Sequence, residues 1–174
     1  MRRVAIVDYG VGNLLSLQRS LNYSKIKNII TSDHKQIEKS SHLILPGVGA
    51  FGTAINLLKK KKLDLVIKEF SIKEKPILGI CLGMQLLFNR SYEFGQWKGL
   101  NLIEGKVKKI NIKKFNLPIV GWYNLQVKKK KNLLNVFNNK SVYLLHTYEC
   151  IPSEKNAIIG HYNLAKYKIT CAVQ

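Results

Sequence analysis

One cysteine lies in a sequence frame that can prepare a thiol for nucleophilic attack. Cys81 stands between Gly79 and Gly83, where a predicted strand meets a predicted helix. This Gly-x-Cys-x-Gly pattern is the thiol counterpart of the nucleophile elbow, in which the attacking residue occupies a sharp and strained strand-to-helix turn. The two glycines would relieve crowding in that turn. Because a helix N-terminus stabilises negative charge, it would also favour the thiolate.

Acyl-transfer chemistry also needs backbone donors aimed at a developing oxyanion. The N–H of Leu82 follows the predicted nucleophile directly and lies at the start of the predicted helix. A second glycine-rich turn, residues 46–51, follows another predicted strand and could supply a donor from Val48 or Gly49. Turns that follow parallel strands meet at the carboxyl edge of the sheet, where such sheets bind ligands. Taken alone, the second segment could equally be an ordinary turn.

The other two cysteines, Cys150 and Cys171, lie outside any such frame, so we expect them to be structural. Three cysteines without paired spacing favour a reducing compartment, and we therefore predict a cytoplasmic protein. The sequence indicates neither a metal site nor a cofactor.

The predicted elements favour an α/β fold. We expect a three-layer structure, with an open, mostly parallel sheet, helices on both faces and a smaller β-rich C-terminal portion, all in a single domain of residues 1–174. Strands are predicted at 3–8, 28–31, 43–45 and 76–80, and helices after Asn13 and at 52–60, 63–70 and 82–88. The second half has short apolar or alternating runs at 105–112, 120–127, 142–146, 158–162 and 168–173.

Charge is the most unusual bulk property, with 29 Lys+Arg against 10 Asp+Glu and a formal net charge of +19. Such a balance can attract nucleic acid or an anionic partner. Arginine is rare, however, and aromatic residues are not interleaved with the lysine runs as in single-strand binding platforms. We therefore predict solvated faces and no nucleic-acid partner, with an anionic partner surface as the alternative. The runs are Lys59–Lys62, Lys108–Lys109, Lys113–Lys114 and Lys128–Lys131. No apolar run approaches the ~18 residues of a membrane span, so no membrane association is expected.

Taken together, the motifs resemble the class I (triad-type) glutamine amidotransferases, most closely the glutaminase subunits of imidazole glycerol phosphate synthase. The resemblance runs from residue 4 to the last residue and is carried by residues 8–14, 45–51, 79–88, 98–100, 105, 121–122 and 146–148. It implies a flavodoxin-like sheet. It also implies that the Cys81 thiolate attacks the side-chain amide of glutamine and forms a thioester, which water then hydrolyses to glutamate.

The resemblance also implies roles for residues around the nucleophile. The N–H groups of Leu82 and of Val48 or Gly49 would hold the oxyanion. Gln85 and Glu93 match positions that hold the glutamine substrate, and His146 and Tyr148 match a motif near the site. For Glu93 the alternative is a solvated loop acid, and for His146 it is a hydrogen-bonded structural histidine.

In the resembling family the ammonia passes to a synthase partner, a (β/α)₈ barrel that forms a heterodimer with the glutaminase. The barrel makes imidazole glycerol phosphate and aminoimidazole carboxamide ribonucleotide in histidine biosynthesis. Tyr123 follows Trp122 where the family usually has Asn, in a stretch that faces the synthase. Two alternatives therefore stay open: a glutaminase subunit for a sugar amidotransferase of surface-polysaccharide biosynthesis, or a non-catalytic, partner-binding remnant.

The family mechanism needs a general base for the cysteine and a carboxylate that orients this base. The family carries both in a His-Pro-Glu segment, which its order places beyond Gln174. None of the four histidines, His34, His42, His146 and His161, stands in a His-x-Glu pattern. We therefore expect a chain that is truncated at its C-terminus and nearly inactive as written.

Overall fold

The computed structural model describes residues 2–128 and 134–174. The chain folds into two compact units, residues 1–102 and 103–174. The lysines of the predicted basic runs are exposed wherever they are described, whereas Lys129, Lys130 and Lys131 lie outside the described residues. Among the helices of the described part, none has the length and apolar character to cross a membrane.

The N-terminal unit is built on a four-stranded parallel sheet in the order β2-β1-β3-β4. Its strands are β1 (Val4–Val7), β2 (Asn28–Thr31), β3 (His42–Leu45) and β4 (Ile77–Gly79). The side chains of residues 5–7 and 43–45 are almost completely buried. Strands covered on both faces need such continuous apolar runs, which explains the sequence pattern. The strand order is that of flavodoxin-like folds.

Five helices connect and follow these strands: α1 (Leu14–Tyr23), α2 (His34–Glu38), α3 (Phe51–Lys60), α4 (Leu63–Ile72) and α5 (Leu82–Leu86). The connection from β1 to β2 runs across the sheet in one direction, whereas the connections from β2 to β3 and from β3 to β4 run in the opposite direction. Since parallel crossovers are right-handed, α1 lies on one face of the sheet and α2, α3 and α4 lie on the opposite face. The predicted α/β layering is confirmed. Asn13 begins α1, as expected, and its side chain accepts from the Ser16 N–H.

In this unit one short helix was not predicted and one predicted helix was too long. The sequence pattern did not indicate α2, because a five-residue helix is too short to show helical periodicity. The helix predicted over 82–88 ends at Leu86, and Phe88 instead begins strand β5 (Phe88–Ser91), which pairs antiparallel with β6 (Trp97–Lys98). The apolar run continues through both elements, so its composition alone does not mark the boundary between them.

The C-terminal unit is β-rich, as predicted. Its strands are β7 (Ile103–Lys109), β8 (Ile119–Asn124), β9 (Gln126–Val127), β10 (Ser141–His146), β11 (Tyr148–Pro152), β12 (Ile158–Leu164) and β13 (Tyr167–Val173). Antiparallel pairs join β7 with β11, β8 with β10, and β12 with both β9 and β13. A buried cluster forms its core: Ile110, Ile119, Tyr162, Leu164 and Ile169. The sequence pattern did not indicate β11, which contains Glu149 and ends at a proline.

The carboxyl ends of β1 and β3 are joined by a buried tyrosine. The Tyr9 side chain is completely buried, and its Oη donates a hydrogen bond of 2.8 Å to the carbonyl oxygen of Pro46. Burial raises the pKa of the Tyr9 phenol well above its ordinary value, and negative charge on the neighbouring Cys81 sulfur raises this pKa further. Tyr9 therefore stays neutral and acts as a fixed donor that holds the turn after β3.

The carboxyl ends of β3 and β4 approach so closely that three glycines are needed there. A Cβ on Gly83 would overlap the carbonyl oxygen of Leu45, and a Cβ on Gly79 would lie 2.6 Å from the Cα of Met84. A Cβ on Gly47 would lie 2.9 Å from the backbone nitrogen of Gly83. The turn after β3 is therefore packed backbone to backbone against the turn after β4.

Replacing Tyr9 by Phe should destabilise the N-terminal unit, because the buried Pro46 oxygen loses its donor. We expect the free energy of unfolding to fall by about 1–3 kcal/mol at neutral pH in chemical denaturation. Tyr23→Phe is the matched control, since Tyr23 is 93% exposed, and it should change stability by less than ~0.5 kcal/mol.

The same variant should also change the response to alkali. The pKa of Tyr9 is raised in the folded state, so its contribution is complete below the ordinary value of 10.0 and is lost as the pH rises above it. Stability should fall above pH 10.0, and it should fall less steeply in Tyr9→Phe than in the wild type or Tyr23→Phe. The raised pKa of Tyr162 leaves part of the slope in every variant. Equal slopes would contradict this account.

The glycine contacts lead to a second stability prediction. Gly83→Ala should cost about 1–3 kcal/mol or prevent folding, because only backbone movement can relieve the overlap with Leu45. Ser20→Ala, on the exposed side of α1, is the control and should leave the melting temperature nearly unchanged. A Gly83→Ala protein that melts like the wild type would show that the two turns are less closely packed.

Candidate active site

Cys81 adopts the strained turn that its glycine frame predicts. Its backbone has φ 56° and ψ −120°, a left-handed conformation that costs free energy for a residue with a side chain. The turn is fixed at its base by the Ile80 N–H, which donates 3.0 Å to the carbonyl oxygen of Leu45. The thiol is exposed, whereas Cys150 is buried and Cys171 is partly buried. The strain therefore presents one thiol at the carboxyl edge of the sheet.

The three predicted oxyanion donors lie in the two turns that pack against each other. Over the described ranges, the N–H groups of Val48, Gly49 and Leu82 donate to no acceptor in the protein. Gly49 has φ +92°, a backbone conformation that favours glycine over residues with a side chain. The structure thus brings unpaired backbone donors and the Cys81 thiol to one edge of the sheet. Donors of this kind stabilise a tetrahedral intermediate when they face its oxyanion.

The two predicted substrate contacts of the N-terminal unit differ in their surroundings. Gln85 lies on α5, one turn after the nucleophile, and its N–H donates 3.2 Å to the carbonyl oxygen of Cys81. Glu93 lies in the turn between β5 and β6, and its Oε2 accepts a 2.6 Å hydrogen bond from the backbone N–H of Phe51. Because its carboxylate is partly buried and bonded, Glu93 is not the freely solvated loop acid of the alternative interpretation.

His146 and Tyr148 lie in the C-terminal unit, on β10 and β11. The Nδ1 of His146 lies 2.8 Å from the Tyr148 carbonyl oxygen, and its Nε2 lies 2.8 Å from the Oη of Tyr162. A carbonyl can only accept, so Nδ1 carries the proton and Nε2 accepts from the tyrosine. Burial lowers the pKa of His146, and the bond to the Tyr148 carbonyl partly offsets this effect. Both ring nitrogens are engaged, as expected of a structural histidine, and the substrate role of His146 stays a prediction.

The remaining candidate nucleophiles and bases have structural surroundings. Burial raises the pKa of the Cys171 thiol to about 12, which disfavours its thiolate. In residues 2–102, His34 bonds the Lys61 carbonyl oxygen and His42 bonds the Ser41 hydroxyl, and neither bonds the Cys81 thiol. The part of the chain that the structure describes contains no cluster of three or more side chains able to hold a metal ion.

Two residues at this edge were not assigned by sequence reasoning. Tyr9, within the motif at 8–14, fixes the turn after β3. Trp97 packs its ring against Gly52 at the start of α3, where a Cβ would overlap the ring. The position of Tyr9 directly after a strand and before a glycine could have indicated an edge role, whereas nothing around Trp97 in the sequence indicates its contact.

Comparisons with known proteins agree with this architecture. The family model for class-I glutamine amidotransferases matches residues 5–173. The imidazole glycerol phosphate synthase subunit HisH of Oceanobacillus iheyensis is 40% identical and covers 90% of this chain and 78% of its own length. The HisH subunit of Sulfurimonas denitrificans is also 40% identical and covers 98% of this chain and 84% of its own length.

Solved structures share the fold at lower sequence identity. The PurLQS structure from Thermotoga maritima has a TM-score of 0.70 at 17% identity and covers 96% of this chain and 76% of its own. A glutamine amidotransferase from Thermotoga maritima has a TM-score of 0.66 at 17% identity and covers 97% of this chain and 69% of its own. The fold, the elbow and the sequence relatives lead to one assignment: this chain belongs to the class-I glutamine amidotransferase family.

Proposed function

We propose that this chain is the glutaminase subunit of an imidazole glycerol phosphate synthase and supplies ammonia for a step of histidine biosynthesis. The observation that carries the proposal is the exposed Cys81 thiol in a strained turn, beside unpaired N–H groups of a neighbouring turn. Relatives that are 40% identical over most of the chain are named as the HisH subunit of this synthase. In this proposal residues 1–174 act as one functional domain.

The proposed reaction begins when the Cys81 thiolate adds to the side-chain amide carbon of glutamine. The carbonyl oxygen takes the negative charge, and the N–H groups of Leu82 and of Val48 or Gly49 hold it. The intermediate collapses, its nitrogen takes a proton and leaves as ammonia, and a γ-glutamyl thioester remains on Cys81. Water then adds to the thioester, which releases glutamate and restores the thiol. Such a thiol needs a reducing compartment, and we propose the cytoplasm.

Glutamine would be held by residues around the elbow. We assign Gln85 and Glu93 to substrate binding, since a carboxylate suits the ammonium group of the amino acid. Among the described residues, Oε1 of Glu93 accepts no hydrogen bond, so this oxygen is available to a ligand. Tyr148 and His146 are assigned to the surroundings of the substrate by resemblance alone, and the hydrogen bonds of His146 give it a structural part as well.

The test of this function is selective labelling of Cys81 combined with glutamate release. A diazoketone analogue of glutamine should label Cys81 in preference to Cys150 and Cys171, and glutamine should protect it, as measured by peptide mass spectrometry. Cys81→Ser should abolish the labelling, whereas Cys171→Ser should leave it unchanged. Labelling that glutamine does not slow would contradict a glutamine site at the elbow.

Glutamate release tests whether Cys81 needs a general base. Residues 1–174 contain no His-x-Glu pattern, so with a synthase partner present we expect these residues alone to release glutamate about 10²- to 10⁴-fold more slowly than the same residues followed by a relative's His-Pro-Glu segment. Equal rates would show that another group activates Cys81. Non-catalytic partner binding would instead leave both versions inactive while the complex still forms.

The synthase partner itself is proposed to be a (β/α)₈ barrel that forms a heterodimer with this chain. In the C-terminal unit, the paired strands β8 and β10 expose an apolar face. Trp122 is 71% exposed and lies opposite Tyr143, with ring centroids 5.6 Å apart, and Val120 lies opposite Leu145. The resemblance places this stretch toward the synthase, and an exposed aromatic face suits an interface of that kind.

The departure from the family at residue 123 does not alter this face. Tyr123 packs inward against the ring of Tyr162, with centroids 4.8 Å apart, because neighbouring residues of a strand point to opposite faces. Its change from the usual Asn therefore affects the core of the C-terminal unit rather than the exposed face. This observation gives no support to a sugar amidotransferase as the partner.

Trp122 should be an energetic centre of the interface. Trp122→Ala should weaken binding of the barrel subunit of a relative's synthase by about 30-fold or more, as measured by calorimetry, because buried tryptophans often dominate interface energy. Ile72→Ala is the control: Ile72 is 80% exposed at the end of α4, and its removal should leave the affinity within about twofold. Equal losses for both variants would place the interface elsewhere.

A further inference from the structure

The helix that follows the second oxyanion turn has no cap from its own sequence. α3 begins at Phe51, and its N-cap residue, Ala50, has no side chain that can accept a hydrogen bond. The first N–H groups of any helix lack partners within the helix and need an acceptor from elsewhere. At this helix the predicted donors Val48 and Gly49 come directly before the uncapped end. An interaction that holds Phe51 in place therefore also restrains the end of the turn that carries these donors.

Glu93 supplies the missing acceptor from a distant part of the sequence. Its Oε2 lies 2.6 Å from the Phe51 nitrogen, and a carboxylate also interacts favourably with the positive end of a helix. Glu93 is itself held at both backbone groups. Its N–H donates to the hydroxyl of Ser91, which is buried, and its carbonyl oxygen accepts a 2.9 Å hydrogen bond from Nε1 of Trp97.

The turn between β5 and β6, together with the first residue of β6, thus contacts the start of α3 at two successive residues. Glu93 bonds Phe51, and the indole ring of Trp97 packs so closely on Gly52 that no Cβ fits between them. We call Ser91, Glu93 and Trp97 the clamp. The clamp restrains both position and direction at the first residues of α3, and it therefore fixes the point at which the preceding turn ends.

We infer that Glu93 is a positioning residue that holds the oxyanion turn at Val48 and Gly49 through Phe51, in addition to any contact with glutamine. This inference rests on the proposed glutaminase function. The Oε2 of Glu93 accepts from Phe51, and its Oε1 stays available to the ammonium group of a bound glutamine. One carboxylate would thus contact the substrate and also hold the turn that carries the oxyanion donors. Substrate binding and the geometry of the oxyanion turn then depend on the same side chain.

Hydrogen exchange measures the positioning directly. In the 174-residue chain, Glu93→Ala should raise the exchange rate of amides in residues 47–52 by about tenfold or more, because a bond to a charged acceptor is lost. Glu93→Gln keeps an oxygen that can accept from Phe51 and should restore most of the protection. Exchange in α4 serves as the internal control, since it should change little in either variant.

Labelling of Cys81 by the diazoketone separates positioning from binding. Glu93→Gln should raise the concentration needed for half-maximal labelling and lower the saturating rate less than Glu93→Ala does, because the amide oxygen can still accept from Phe51 while the charge that attracts the ammonium group is lost. Glu93→Ala should lower the saturating rate as well, by about tenfold or more, since the turn is released. Trp97→Phe keeps the ring on Gly52 but loses the bond to Glu93, and its saturating rate should lie between those of the wild type and Glu93→Ala.

The outcomes distinguish this inference from the function on which it rests. Unchanged exchange at residues 47–52 in Glu93→Ala would overturn the positioning role, even if Cys81 is labelled normally. Equal saturating rates for Glu93→Ala and Glu93→Gln would likewise overturn it. If the wild type labels Cys81 no faster than Cys150 and Cys171, the glutaminase proposal fails, while the exchange comparison still decides whether Glu93 holds the turn.

Discussion

The close approach of two backbone turns at the carboxyl edge of the parallel sheet is the constraint on which the rest of the site depends. No side chain fits between Gly83 and the carbonyl oxygen of Leu45. This contact brings the strained turn at Cys81 against the turn at Gly47, and Tyr9 fixes the second turn from the end of a third strand. Because the contacts are made by backbone atoms, they leave little room for adjustment.

The strain at Cys81 is maintained by ordinary interactions of the sheet and its loops. A left-handed conformation at a non-glycine residue costs of order 1–3 kcal/mol, and it persists only where the surroundings leave no alternative. Here β4 enters the turn with a hydrogen bond to Leu45, and α5 leaves it with two N–H groups bonded to the Cys81 carbonyl oxygen. The nucleophile is therefore presented by a rigid scaffold, which is the condition for preorganised catalysis.

The charge of +19 has no evident part in this chemistry. The described lysines of the basic runs are exposed, and the groups shown beside Cys81 are backbone amides and the Tyr9 phenol rather than a basic cluster. In the C-terminal unit, by contrast, aromatic side chains decide the arrangement. Tyr162 is buried between His146 and Tyr123, while Trp122 and Tyr143 remain on the exposed face of the same strand pair.

The sequence by itself determined the α/β layering, most of the strands and the position of the elbow. These features follow from short-range rules: buried strands are continuous apolar runs, and a nucleophile elbow needs glycine two residues before and after the cysteine. Short elements such as α2 and β11 were not predicted, because hydrophobic periodicity can be recognised only over longer segments. The hydrogen bond of Glu93 to Phe51 and the packing of Trp97 on Gly52 were decided only by the tertiary structure. They join residues about forty positions apart, and nothing local distinguishes a bonded carboxylate from a solvated one.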